Sequence, residues 1–197
     1  EGLRAWFASY RSWLEESAQG RGERSALNNH GTWYDVQVLA IDAYLDRVRP
    51  ALATLRRSYE RITQQFAPDG SQPEELKRTI TQHYCSYNLQ GWLALAACAG
   101  RVGHDLWSYT GPTGSGLAAA ARWLLDHAGR PWPHQQIDDF DLDRWSAFYH
   151  LIPADLRPDP GEARDWVSSE DPWRVKQVFT PHDGIRPYWI LGHRQEQ

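Results

Sequence analysis

Apolar residues recur at three- and four-residue intervals through Leu3 to Leu14, Val36 to Val48, Leu52 to Phe66, Leu89 to Ala99, Leu117 to Ala128 and Phe140 to Leu151. That period puts them on one face of a helix, and alternating runs of strand type are nearly absent. Breaks rich in Gly, Pro and Asn at Gly20 to Gly22, Asn28 to Gly31, Pro68 to Pro73, Gly111 to Gly116 and Gly129 to Pro133 separate the segments. Successive helices joined by short loops predict an all-α protein of antiparallel hairpins, as in bundles or α/α toroids. After Pro153 the pattern changes, because Pro158, Pro160, Pro172, Pro181 and Pro187 interrupt polar sequence that cannot sustain long helices. This predicts an irregular C-terminal wrap over 153–197. Its aromatic ending, with His182, Arg186, Tyr188 and Trp189, is expected to pack on the body or to close a groove.

Composition narrows the class. A chain of 197 residues, 41% hydrophobic and 23% charged, suffices for one globular domain with a sizeable core. No stretch approaches the roughly 18 uninterrupted apolar residues of a membrane span. With eleven Trp, nine Tyr, five Phe and no Met, the packing and contact surfaces are expected to be largely aromatic. A net charge of −4 argues against nucleic acid as a partner. Cys85 and Cys98 fall in one helical region about 20 Å apart, too far for a mutual disulfide, and read as buried thiols. The chain opens at Glu1 without a Met or a secretory leader, as a processed or truncated product would.

Two stretches carry the chemistry. Residues 28–35 read Asn-Asn-His-Gly-Thr-Trp-Tyr-Asp. Amides there can donate to a carboxylate, His30 can titrate near neutral pH, and Trp33 and Tyr34 offer flat surfaces for sugar rings. The same residues also suit a plain loop and helix start, with Thr32 as N-cap. Residues 75–89 bring Arg78, His83, Tyr84, Tyr87 and Asn88 together ahead of an apolar helix. A surface cation and a core ring with a wet hydroxyl are the ordinary roles for Arg78 and Tyr84.

The two stretches in this order, about fifty residues apart, together with Gly103-His-Asp-Leu-Trp107 and Pro131-Trp-Pro-His-Gln-Gln-Ile137, resemble the alginate lyase superfamily of polysaccharide lyases. The resemblance covers roughly Ala26 to Ile137. It implies an incomplete α/α toroid that cleaves uronic-acid polymers by β-elimination, with no cofactor and no metal in the chemical step. It implies that Asn29, His30, Arg78 and Tyr84 are catalytic, while Trp33, Tyr34, His83, Asn88, His134 and Gln135 are candidates for contact with an acidic polysaccharide. Catalytic domains of this kind are nearly twice as long, so 1–197 is expected to be one portion of such a domain, working with an N-terminal half as partner. A secreted or periplasmic location follows from the same resemblance. Two departures stand out: Cys85 where the family has Ser, and Thr113-Gly-Ser115 where it has a charged loop that could touch substrate.

Elimination across C4 and C5 of a uronate removes a weakly acidic proton beside a carboxylate, whose charge must first be neutralised. Asn29, Arg78 and His30 have the right donors for that. In β-D-mannuronate and β-D-glucuronate the C5 proton and the C4 oxygen share one face, so a single phenol, Tyr84, can serve as base and acid. A phenol ordinarily titrates near about 10, so the phenolate needs a neighbouring cation. In α-L-guluronate the proton lies on the opposite face and calls for His30 instead. Arg78 and Tyr84 are six residues apart, about 120° around a continuous helix, so the helix is expected to start between them. The competing class is a carbohydrate-binding fragment without catalysis. A metal-dependent hydrolase is disfavoured because the histidines lack ligand spacing, and Asp138, Asp139, Asp141 and Asp143 suit calcium or, more ordinarily, a solvated loop.

Overall fold

The computed structural model describes residues 2–127, 130–140 and 151–157, and every regular element among them is helical. Helix α1 spans Gly2–Glu16, α2 Ala18–Ser25, α3 Asn29–Tyr44, α4 Val48–Gln65, α5 Thr81–Arg101 and α6 Leu117–His127, with a 3₁₀ turn at Ala154–Leu156. No helix among the described residues is long and apolar enough to cross a membrane.

Helix α5 is the centre of the fold. It packs against α3 on one side and α6 on the other, and α4 closes the layer by packing on α3. Crossing is close at Gly91, where a Cβ would lie 2.8 Å from the Thr32 methyl. Leu55, Ile62, Leu89, Leu95, Leu106, Leu117 and Leu124 form the main core around Trp92 and Phe66. Among the described residues its buried members are mostly aliphatic rather than aromatic, and rings such as Tyr59, Tyr87, Trp107, Trp123 and Trp132 are only partly buried at its edge. A smaller core of Leu14, Tyr34, Val38 and Ile41 joins α1 to α3.

Two expected breaks are helical. Gly20 and Gly22 lie inside α2; the interruption falls at Ser17, whose hydroxyl accepts from the Gly20 amide at 2.9 Å as an N-cap. Glycine at 20 is required by clearance, since a Cβ would sit 2.0 Å from the Leu14 carbonyl oxygen. Likewise α3 begins at Asn29, capped by the Asn28 side chain accepting from the His30 amide at 3.2 Å. Thr32 is therefore not the cap but a fully buried residue of the first turn. Gly31 makes room for Arg61, whose Nη1 would be 2.0 Å from an added Cβ.

That arginine locks the entry to α3. Its Nε meets Asp35 Oδ2 at 2.7 Å, while Nη1 and Nη2 donate to the carbonyls of Ala26 and Arg24 at 2.7 and 2.8 Å. Residues 141–150 of the helix expected at Phe140 to Leu151 and nearly all of the expected C-terminal wrap, including His182, Arg186, Tyr188 and Trp189, lie outside the described residues. Of that wrap, Leu156 is buried in the main core, and Ile152 just before it is buried there as well.

Candidate active site

A cleft of about 320 Å³ opens between the end of α2, the first turns of α3 and the start of α5, lined by Glu23, Asn29, His30, Trp33, Arg78, His83, Tyr84 and Tyr87. The two sequence clusters thus meet in one place. The segment from Gln72 to Ile80 turns back on itself, with Arg78 N–H donating to the Glu75 carbonyl at 3.1 Å, and α5 begins at Thr81. Arg78 therefore precedes the helix and Tyr84 occupies its first turn, which resolves the six-residue spacing. The Arg78 guanidinium carbon lies 3.8 Å from the centroid of the Tyr84 ring. That is the geometry of a cation over an aromatic face, and it holds the guanidinium against the phenol.

The α5 N-terminus has no cap of its own, because Ile80 precedes it. The Pro131 to Ile137 segment supplies one. Gln136 Oε1 accepts from the Gln82 amide at 3.0 Å, the Gln135 carbonyl from the Thr81 amide at 3.1 Å, and Trp132 Nε1 donates to Thr81 Oγ1 at 2.7 Å. Gln135 consequently acts through its backbone, and His134 packs among Trp123, His127 and Trp132. Neither lines the cleft, contrary to the sequence expectation. Their segment fixes the turn from which Tyr84 projects.

Two further candidates point inward. Tyr34, expected to stack on sugar, is 3% exposed in the smaller core, one residue round the helix from Trp33. Asn88 is buried, donating from Nδ2 to Gln72 Oε1 at 2.9 Å and Gln65 Oε1 at 3.1 Å. Trp33 stays at the cleft, stacked on Tyr87 with centroids 5.1 Å apart, and His83 faces Tyr87 at 6.4 Å. Although adjacent in sequence, His83 and Tyr84 both reach the cleft because it straddles the first turns of α5.

The sequence reading gave no role to two carboxylates that the structure places here. Glu75, 1% exposed, accepts from the Asn29 backbone amide at 2.5 Å, and Asn29 Nδ2 lies 3.1 and 3.0 Å from its two oxygens. Burial raises the Glu75 pKa, against the lowering effects of the Asn29 bonds and of the charges on Arg78 and His30. The Asn29 amide nitrogen is thus turned towards Glu75. Glu23 meets His30 Nδ1 at 2.9 Å, which in the neutral ring selects the Nδ1–H tautomer and leaves Nε2 as an acceptor. The partners are 46 and 7 residues apart in sequence. Only the presence of Glu75 at the head of the second cluster could have hinted at the first pair.

The family model described as alginate lyase matches residues 1–134 of this chain. The chain belongs to the alginate lyase family. Among solved structures, an alginate lyase from Bacteroides ovatus superposes with a TM-score of 0.69 at 31% sequence identity, over 83% of this chain and 48% of that one. The chain therefore spans about half the length of that relative, and its helical hairpins correspond to a portion of an incomplete α/α toroid. No curated protein sequence matches it. Of the two departures from the family pattern, Cys85 is fully buried behind Tyr84, its thiol pushed well up by burial. The Thr113 and Ser115 hydroxyls pair with each other at 2.6 Å away from the cleft lining. Among the described residues no group of three or more His, Cys, Asp or Glu is placed to hold a metal ion, and Asp141 and Asp143 lie outside those residues.

Proposed function

We propose that this chain is a catalytic-domain portion of a polysaccharide lyase that cleaves a β-linked uronan, polymannuronate or glucuronan, by β-elimination. The observation that supports it best is the Arg78 guanidinium 3.8 Å from the Tyr84 ring centroid, in the cleft that also presents Asn29 and His30. Family membership supports the reaction class.

In this reading a uronate carboxylate enters beside Arg78, whose fixed charge offsets the negative charge that builds up as the C5 proton leaves. Preorganised donors of this kind contribute a few kcal/mol each to transition-state stabilisation, by general estimate about 3. Glu75 holds Asn29 at the cleft floor. Tyr84, as phenolate, takes the C5 proton; the electron pair forms the C4=C5 double bond, the C4–O bond breaks, and Tyr84 returns the proton to the departing oxygen. Both events lie on one ring face in mannuronate and glucuronate, which is why these polymers are favoured. Trp33, Tyr87 and His83 form the wall against which the neighbouring sugar rests. An acidic polysaccharide is a substrate met outside the cytoplasm, so a secreted or periplasmic location accompanies the proposal, as does an N-terminal half that completes the groove.

The test is ultraviolet absorbance of unsaturated uronate ends on incubation with polymannuronate, polyguluronate and glucuronan separately. A rise with polymannuronate or glucuronan that disappears in Tyr84→Phe is expected. A rise confined to polyguluronate would transfer the base role to His30. A flat trace with all three, from a folded preparation that includes the N-terminal half, would leave only a carbohydrate-binding role.

A further inference from the structure

Away from the cleft, arginines converge on a second depression of about 330 Å³ where α1, α2, α3 and α4 meet, at the small end of the usual range for ligand pockets. Arg11, Arg24, Arg49 and Arg57 line it, with Glu15 and Tyr34 among the other walls. Two of these cations are anchored from behind. Arg11 Nε lies 3.1 and 3.0 Å from the oxygens of buried Asp42, and its Nη1 lies 3.1 Å from Glu15 Oε2. Arg57 Nε and Nη2 meet Asp35 Oδ1 at 3.1 and 2.5 Å.

The anchoring leaves donors over. Among the described residues Arg11 Nη2 and Arg57 Nη1 make no hydrogen bond, and the exposed side chains of Arg24 and Arg49 have neither a hydrogen bond nor an ion pair. Among the described residues Arg11, Arg57 and Arg61 share three carboxylates, Glu15, Asp42 and Asp35, so the charges of Arg24 and Arg49 remain over in a chain whose net charge is −4. Tyr34 adds a phenol that burial keeps in its neutral form, against the pull of Arg11, Arg24 and Arg57. Fixed arginine forks with free N–H groups match an oxyanion with two or more acceptor oxygens better than flexible lysines would.

We propose that this depression is an oxyanion-binding site, taking either the carboxylate of an acidic sugar residue or inorganic phosphate. The sugar form rests on the lyase reading and holds a second stretch of polymer away from the reacting cleft; the phosphate form stands without that reading. Arg24 and Arg49 supply the charge that no carboxylate among the described residues balances. Arg11 and Arg57 supply directed donors.

Isothermal titration calorimetry on the full chain distinguishes the two. Saturated uronate oligosaccharide and inorganic phosphate are titrated separately, at low and high salt, into the unsubstituted protein, the Arg24→Ala/Arg49→Ala double variant, and the same double variant carrying Tyr84→Phe. The double variant is expected to bind one probe at least about tenfold more weakly, most clearly at low salt. Its circular dichroism, melting temperature and turnover of short oligosaccharides should be unchanged. Weakening with oligosaccharide assigns the site to the polymer, and weakening with phosphate alone assigns it to a free anion. Equal binding of both probes with and without the two arginines overturns the proposal. Heat of binding needs no turnover, so an inactive protein that still shows the arginine-dependent phosphate heat separates failure of the lyase reading from failure of this one.

Discussion

The open cleft and the buried amide cluster behind it are built from the same turns of α3 and α5, yet they balance their polar groups in opposite ways. In the cluster, Gln65 Oε1 accepts from Trp92 Nε1 at 2.8 Å and from Asn88 Nδ2 at 3.1 Å, with Thr32 Oγ1 at 2.9 Å, while Gln65 Nε2 donates to the Asn28 carbonyl at 2.8 Å. These donors meet acceptors, and Gln65, Thr32 and Asn88 are almost wholly inaccessible. In the cleft, Arg78 has no ion-pair partner among the described residues and lies over an aromatic face instead. A polar group satisfied inside the protein fixes geometry, whereas one left unmatched at a surface is available to a ligand. Thr32 and Trp33, or Tyr87 and Asn88, are neighbours in sequence but fall on opposite sides of that division.

The contrast is open to direct attack. Tyr84→Phe removes only a hydroxyl, and turnover is expected to fall by about 10²–10⁴ with the helical circular dichroism unchanged, the range for loss of a general acid–base group. Retained turnover would break the assignment of Tyr84 to chemistry. Arg78→Ala is expected to lower kcat/KM by roughly 10²–10³, and Arg78→Lys to recover part of it, since lysine keeps the charge but not the planar stack on the ring. Equal losses for both would mean that shape rather than charge matters at this position.

On the buried side, Gln65→Leu strands Trp92 Nε1 and a proton of Asn88. A destabilisation of about 2–6 kcal/mol is expected in urea titration, from about 1–3 kcal/mol for each of the two unmet groups. Because the same glutamine holds the Asn28 carbonyl, any surviving folded fraction should show a raised KM.

Glu75 lies between the two regimes and has a pH signature. Burial raises its pKa above the ordinary 4.5, so over some range the native state keeps a proton that the unfolded chain has released. The stability from that proton is present below about 4.5 and is lost as pH rises through the higher folded value. Glu75→Gln stays neutral throughout. The stability of the unsubstituted protein relative to this variant should therefore decline as pH rises from the acid side towards neutrality, read by thermal melts of both proteins. A gap independent of pH would show that Glu75 is not a buried titrating carboxylate. The smallest effect is expected from Glu23→Gln. Its pair with His30 is about half exposed on both sides, and exposed pairs contribute up to about 1 kcal/mol, so kcat/KM on the preferred polymer should change by no more than about fivefold.

Much of the helical skeleton was legible because it is dictated locally: the apolar period over Leu52 to Phe66 returns as α4 and that over Leu117 to Ala128 as α6. The starts of α2 and α3 were less so, whereas that of α5 falls between Arg78 and Tyr84 as their spacing required. Glycines that look like breakers at 20 and 31 answer instead to a carbonyl and a guanidinium brought close by other helices. The meeting of Asn29, His30, Arg78 and Tyr84 was anticipated from the resemblance, since the residue types and their order already match one chemistry. That Tyr34, Asn88, His134 and Gln135 stand apart from the cleft was not legible, because a helix turns about 100° per residue and the burying partner determines which neighbour faces out.

Taken alone, the sequence determined helix content, the two polar clusters and the donors each could offer, because these depend on side-chain chemistry and on spacing along a single helix. Tertiary structure decided the pairings: Glu75 with Asn29, Glu23 with His30, Gln136 with the head of α5, and Arg78 over Tyr84. Two of these pairs, Glu75 with Asn29 and Gln136 with Gln82, are far apart in the chain, and the hydrogen bonds that link them exist only once the tertiary structure brings their segments together. The desolvation that raises the Glu75 pKa arises from the same packing.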